Sequence, residues 1–225
     1  MTSEIKPEFL PEQPVLRAQG DSVRATLKAN PTVWQAPTDG AEIYAVGHFI
    51  TPEECATLIA MIDAAARPST LLDKSYGDGF RTSFSGDVDP HDPFIKRIDG
   101  RINDLLGIDP RFGETIQGQR YLPGQEFKPH HDWFHPGTVY WDSECQRGGQ
   151  RAYTAMAYLN TVEEGGSTDF TELGLSIEPT PGVLLMWNNA DPDGIPNRKT
   201  LHAGRPVVRG AKYVITKWYR AKPWS

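Results

Sequence analysis

His130, Asp132, His202 and Lys212 are the residues whose types and spacing could do chemistry together. On an extended strand, side chains two apart share a face, so His130 and Asp132 point one way and His131 the other. A third donor, His202, arriving from a distant strand would complete two imidazoles and one carboxylate around a metal. That set fills three coordination positions and leaves the others open, as non-heme Fe(II) oxygen chemistry requires. Lys212 adds a fixed cation that could anchor an acidic co-substrate. Alone, each residue has a duller reading, since single histidines are mostly surface or half-buried groups and His-x-Asp recurs by chance. The surrounding segments decide between the two.

Those segments fall into three stretches. Residues 1–40 are punctuated by Pro7, Pro11, Pro14, Pro31 and Pro37 with little periodicity. They are expected to be a partly disordered lead-in with one short helix near Ser22–Lys28. A single domain is expected over 41–225, with a helical part at 51–107 and a strand-rich core at 115–220. Ala45–Ile50 reads as a strand or its end. Thr51, Pro52 and Glu54 then supply an N-cap, a first-turn proline and a capping-box glutamate, and Leu58, Met61, Ile62 and Ala65 recur at helical spacing over 52–66. A second helix opens at Asp92–Pro93, aligns Ile95, Ile98, Ile102, Leu105 and Leu106, and stops at Gly107. The Gly-, Ser- and Asp-rich stretch Leu71–Pro90 between them is long enough for a lid.

After Gly107 the pattern changes to short strands: Thr115–Leu122, Phe127–Trp133, Arg151–Asn160, Ser167–Phe170, Leu175–Glu178, Val183–Trp187, Thr200–His202 and Tyr213–Tyr219. This predicts a mainly β fold, a double-stranded β-helix (jelly roll) with the helices packed outside one sheet.

Lys and Arg total 23 against 29 Asp and Glu, a net charge of −6. Such a chain lacks the field that attracts a phosphate backbone, so nucleic acid is not an expected partner. No apolar run approaches a membrane span, and the charged start Met1–Lys6 does not read as a secretory signal. Cys55 and Cys145 have neither zinc nor redox spacing and are expected to be reduced thiols in the cytoplasm.

From Tyr121-Leu122-Pro123-Gly124-Gln125-Glu126-Phe127 through Lys128-Pro129-His130-His131-Asp132 the chain resembles Fe(II)/2-oxoglutarate oxygenases of the prolyl 4-hydroxylase type. Gly148–Arg151, Tyr158–Asn160, Gly165–Phe170, Pro181–Trp187, His202–Val207 and Gly210–Trp218 agree in order and spacing, as does Arg81-Thr82-Ser83. The resemblance implies that His130, Asp132 and His202 hold Fe(II) and that Lys212 pairs with the distal carboxylate of 2-oxoglutarate. It also implies hydroxyl groups from Tyr121 and Thr154 on that carboxylate, Trp218 lining the site near the metal, and Arg151 and Arg81 contacting substrate. Bland alternatives stand beside two of these: Trp218 as core, and Thr154 as an ordinary β-branched strand residue.

The activity so implied consumes dioxygen and 2-oxoglutarate, releases succinate and CO2, and hydroxylates an unactivated C–H bond, with ascorbate as an expected accessory. Asp132 favours hydroxylation, because related halogenases lack that carboxylate. The implied substrate is C4 of a prolyl residue in a peptide or protein. The Leu71–Pro90 loop and the aromatic insertion at 133–146 (Trp133, Phe134, Tyr140, Trp141) are candidate walls of a peptide groove. Three alternatives are kept open: a free amino acid or other small-molecule substrate, a nucleic-acid demethylase, and a non-catalytic metal-binding β-roll. The acidic charge and the lysine anchor count against the demethylase, and the completeness of the four positions counts against the binding module.

Overall fold

A computed structural model describes residues 11–71, 77 and 79–225. The first part of the chain comprises helix α1 (Gln13–Ala29), strands β1 (Val33–Gln35) and β2 (Ile43–Val46), helix α2 (Pro52–Ala65), strands β3 (Ala66–Pro68) and β4 (Phe84–Asp87), and helix α3 (Pro93–Leu106). Next come β5 (Gln117–Tyr121), β6 (Phe127–His130), helix α4 (Trp141–Arg147), β7 (Arg151–Tyr158), β8 (Glu164–Gly165) and β9 (Thr168–Phe170). The chain closes with β10 (Leu175–Ile177), β11 (Leu184–Asn188), β12 (His202–Gly204), β13 (Val207–Arg209) and β14 (Lys212–Arg220).

The strands form an eight-stranded sheet in the order β1-β2-β11-β7-β14-β5-β4-β3, a four-stranded sheet β10-β9-β12-β6 and the small pair β13-β8. All pairings are antiparallel. Alternation along the central strands splits the core in two. Tyr153, Ala155, Ala157, Ile215 and Tyr219 pack outward against apolar residues of α1, α2 and α3. Tyr121, Met156, Tyr158, Trp187 and Val214 of the large sheet pack inward against Phe170 of the small one. The expected jelly roll with helices on one sheet is therefore the observed fold. Among the described residues, no helix is long and apolar enough to cross a membrane.

The first forty residues differ from expectation where they are described. The short helix expected near Ser22–Lys28 is the 17-residue α1, and β1 adds an edge strand to the large sheet. Pro14 stands in the first turn of α1, where its missing N–H costs nothing, so it starts the helix rather than breaking it. Leu16, Gly20, Val23 and Leu27 form its buried stripe. An isolated helix of this length is marginal in water, and burial of Leu16, Val23 and Leu27 at roughly 1.5–3 kcal/mol each holds it on the sheet. Residues 1–10 of the expected lead-in lie outside the described residues.

The Leu71–Pro90 stretch likewise departs from a pure lid. Its later part is β4, which pairs with both β3 and β5, while residues 72–76 and 78 lie outside the described residues. Glycine and serine there serve close packing: Gly86 is buried under α2, and Ser85, on the opposite face, is buried with its hydroxyl bonded to Ser69. A β-carbon on Gly86 would stand 2.7 Å from the Ile62 carbonyl oxygen, closer than real contacts allow. Gly86→Ala is expected to force α2 off the sheet and cost about 1–3 kcal/mol of stability, read as a lowered midpoint in thermal unfolding. An unchanged midpoint would mean that α2 shifts at no cost.

Candidate active site

β6 and β12 are neighbours in the small sheet, with His202 directly opposite His130. Side chains opposed in this way meet on one face, and the two imidazole centroids lie 4.3 Å apart. Asp132, two residues beyond His130, returns to the same side. One donor atom from each of the three lies within 4.8 Å of the others. His130 Nε2 and His202 Nε2 stand 3.9 and 3.8 Å from the two carboxylate oxygens of Asp132.

Each ring is fixed through its other nitrogen. Nδ1 of His130 lies 2.8 Å from the Lys128 carbonyl, and Nδ1 of His202 lies 2.9 Å from that of Thr200. A carbonyl only accepts, so both Nδ1 atoms donate, which leaves each Nε2 as the ring atom turned toward Asp132. Burial, and then the facing His202, hold His130 well below the ordinary histidine range, which keeps it neutral at pH 7. Burial raises the Asp132 carboxyl, but the two imidazoles, Arg151 and a hydrogen bond from Thr154 outweigh it and keep the group ionised. Thr154 Oγ1 donates to Asp132 Oδ2 at 2.7 Å, and Asn189 Nδ2 donates to Thr154 at 2.9 Å. Two imidazole Nε2 atoms and a carboxylate thus converge on one point, a donor set that a bound metal cation satisfies. Two imidazoles and a carboxylate suit Fe(II).

The triad closes one end of an inner cavity. Tyr121, Thr168 and Lys212 line it further in, with Met156, Trp187 and Val214 as apolar walls. Lys212 is only 3% exposed; its ammonium donates to Thr168 Oγ1 at 3.2 Å and faces the rings of Tyr121 and Tyr158, each at 5.6 Å. Among the described residues it forms no ion pair, and burial pulls its pKa down to about 7. Tyr121 donates its hydroxyl to Gln119 Oε1 at 2.9 Å.

An outer cavity of about 280 Å³ opens on the other side of the metal ligands and includes Phe127, Phe134, Tyr140 and Trp218. Trp218 lines both cavities. Arg151 and Arg81 also reach the outer one. His131 points away from the triad: its Nε2 lies 3.1 Å from the Arg198 carbonyl, and its ring packs on Trp133.

Two expectations change. Thr154, expected on the co-substrate carboxylate, instead orients Asp132, and the hydroxyl beside Lys212 belongs to Thr168. Arg151, expected to offer its charge to substrate, is already bound through two nitrogens to Glu114 at 2.7 and 2.8 Å, with its plane 4.0 Å over Trp218. Glu114 and Arg220 escaped sequence reading. Glu114 precedes β5 in an aperiodic loop, and Arg220 reads as an ordinary strand-end arginine, although it is 2% exposed and joins Glu114 to Glu144.

Residues 116–220 match the 2OG-Fe(II) oxygenase superfamily. Prolyl 4-hydroxylase 1 of Arabidopsis thaliana is 34% identical over 197 residues, covering 79% of this chain and 68% of the relative. Probable prolyl 4-hydroxylase 8 of the same plant is 32% identical over 202 residues, with the same coverage. The chain belongs to the prolyl 4-hydroxylase family. Among solved structures, the viral collagen prolyl hydroxylase of Paramecium Bursaria Chlorella virus-1, solved as a 2OG complex, aligns with a TM-score of 0.63 at 29% identity, covering 82% of this chain and 98% of the viral one. A prolyl hydroxylase from Trichoplax adhaerens shares the fold with a TM-score of 0.60 at 16% identity, covering 97% of this chain and 94% of its own.

For a prolyl 4-hydroxylase the donor set is complete, and the fit to iron rests on the two imidazole Nε2 atoms facing Asp132. Asp132→Ala is expected to abolish 2-oxoglutarate turnover and to lower bound iron in the purified protein. Wild-type turnover in that variant would remove Asp132 from the metal site.

Proposed function

We propose that the protein is an Fe(II)- and 2-oxoglutarate-dependent dioxygenase that hydroxylates C4 of a prolyl residue in a peptide or protein. One observation carries this reading: a triad with metal-ligand geometry and a buried lysine that, among the described residues, forms no ion pair occupy opposite ends of one cavity. A small molecule with a chelating head and a distal carboxylate matches both ends, and 2-oxoglutarate has that form. The relatives named as prolyl 4-hydroxylases support proline as the target, and the Trichoplax protein, solved in complex with a hypoxia inducible factor peptide fragment, supports a peptide as its carrier.

Iron, when bound by His130, Asp132 and His202, supplies dioxygen activation coupled to loss of CO2 from 2-oxoglutarate, leaving succinate. The protein's own work is placement. Lys212 pairs with the distal carboxylate, the Thr168 hydroxyl lies beside it to donate a hydrogen bond, and the ring of Tyr121, whose hydroxyl is engaged by Gln119, packs alongside. Met156, Trp187 and Val214 keep bulk water from the inner cavity. Trp218, braced by Arg151 and Glu114, forms the wall between co-substrate and substrate. Ascorbate is proposed as an accessory reductant.

Lys212 gives the reading a pH signature. With its pKa near 7 in the absence of a partner, the lysine is increasingly neutral above pH 7. A bound carboxylate raises that pKa, so binding takes up a proton in this range. Affinity for 2-oxoglutarate is then fully present below pH 7 and falls above it by up to about tenfold per unit, until the pKa of the complex is reached. Anaerobic calorimetry of the iron-loaded protein should show this slope, and Lys212→Met should bind weakly with little pH dependence. A flat wild-type profile from pH 6.5 to 9 would mean that another group holds the carboxylate.

The main test is succinate formation by the iron-loaded protein under air, with and without proline-containing peptides. Stimulated turnover with a peptide product one oxygen heavier is expected. Turnover that no peptide stimulates would discard proline as the target while keeping the oxygenase.

A further inference from the structure

Among the described residues, the wall of the outer cavity holds more positive charge than its own carboxylates neutralise. Four guanidiniums of the described residues line it: Arg81, Arg147, Arg151 and Arg220. Of the acidic residues there, Asp132 belongs to the metal triad and Asp87 is ion-paired with Arg67. Glu114 and Glu144 are left to serve three arginines. Glu114 takes Arg151 through two hydrogen bonds and Arg220 at 2.5 Å. Glu144, 3% exposed, is bound by Arg220, so Arg147 has only a 3.5 Å share of a carboxylate already engaged. The Arg147 side chain is half exposed at the rim, on α4.

Arg81 adds to the imbalance. Its guanidinium donates to Ser83 at 3.1 Å, Gln117 at 3.0 Å and Ser85 at 3.4 Å, and lies 4.9 Å over Phe127. All these partners are neutral, and among the described residues no carboxylate pairs with it. A chain of net charge −6 that gathers unneutralised guanidiniums at one cleft has a local field favouring anions.

Building on prolyl hydroxylation as the reaction, we propose that the preferred substrate carries a carboxylate close to the target proline, recognised by Arg147 and Arg81. An Asp or Glu side chain and the C-terminus of a peptide offer the same chemistry. A planar guanidinium suits a carboxylate better than an ammonium would. An exposed ion pair alone is worth little, so the preference depends on two cations acting in a partly enclosed groove, and salt weakens it.

The experiment compares kcat/KM, by mass-detected hydroxylation, for proline peptides differing only in a neighbouring Glu, Gln or Lys, each with a free or an amidated C-terminus. Glu is expected to exceed Gln by about tenfold at low salt, with Lys below both, and the gap should shrink in 0.5 M NaCl. A free acid exceeding its amide by a similar factor would name the C-terminus as the source of the carboxylate. Arg147→Gln should narrow the Glu preference, and Arg147→Glu should reverse the order of the Glu and Lys peptides. Equal rates across the whole series, or an order untouched by Arg147→Glu, would overturn the inference and leave prolyl hydroxylation standing. Absence of hydroxylation on every peptide would overturn both.

Discussion

The site depends on one backbone register, His202 opposite His130 across β6 and β12. Strand side chains alternate with a period of two, so a slip of one residue would send an imidazole to the wrong face and dissolve the triad. The register is not uniform along the pair. Gly204 aligns with Phe127, leaving Lys128 and Pro129 as the irregular step between the two matches. Proline cannot donate to a ladder, so an irregularity at this point costs little. The carbonyl of Lys128 in that step is the one that fixes the His130 ring. Sheet geometry and ligand tautomer are therefore set by the same few residues.

The larger sheet supplies the rest through strict alternation in β14. Lys212, Val214, Thr216 and Trp218 line the inner cavity, while Ile215 and Tyr219 pack toward the helices. Lys217, on that second face, pairs with Asp99 of α3 and so stays out of the chemistry despite standing next to Trp218. β7 breaks the rule once. Tyr219 pairs with Tyr153 but Arg220 pairs with Arg151, so Ala152 is an extra residue in the ladder. That bulge brings Arg151 to the same face of the sheet as Thr154 although their numbers differ in parity.

Much of this was legible in the residues themselves. The triad, Lys212 and Tyr121 lie in one strand-and-turn motif and two late strands, and their types are too unusual in combination to be structural filler. α2 and α3 carry caps, apolar stripes and, for α3, a glycine stop in left-handed geometry. What stayed hidden depends on distant partners. No local signal says that Thr154 meets Asp132, that Glu114 meets Arg151 and Arg220, or that Ser85 and Gly86 form a strand under α2. Proline in the opening residues misled for a related reason, because the same residue breaks a helix interior and favours a first turn, and only docking of Leu16, Val23 and Leu27 distinguishes the two cases.

The inner cavity lies between two layers, and its ends belong to different ones. Lys212 stands on the large sheet, while His130 and His202 stand on the small one. Packed sheets are held about 10 Å apart by side chains alone. A molecule gripped by the lysine at one end and by the metal ligands at the other would act as a cross-brace between the layers. Occupancy would then be a mechanical state of the whole roll, with the gap between sheets setting the length of molecule that can span it.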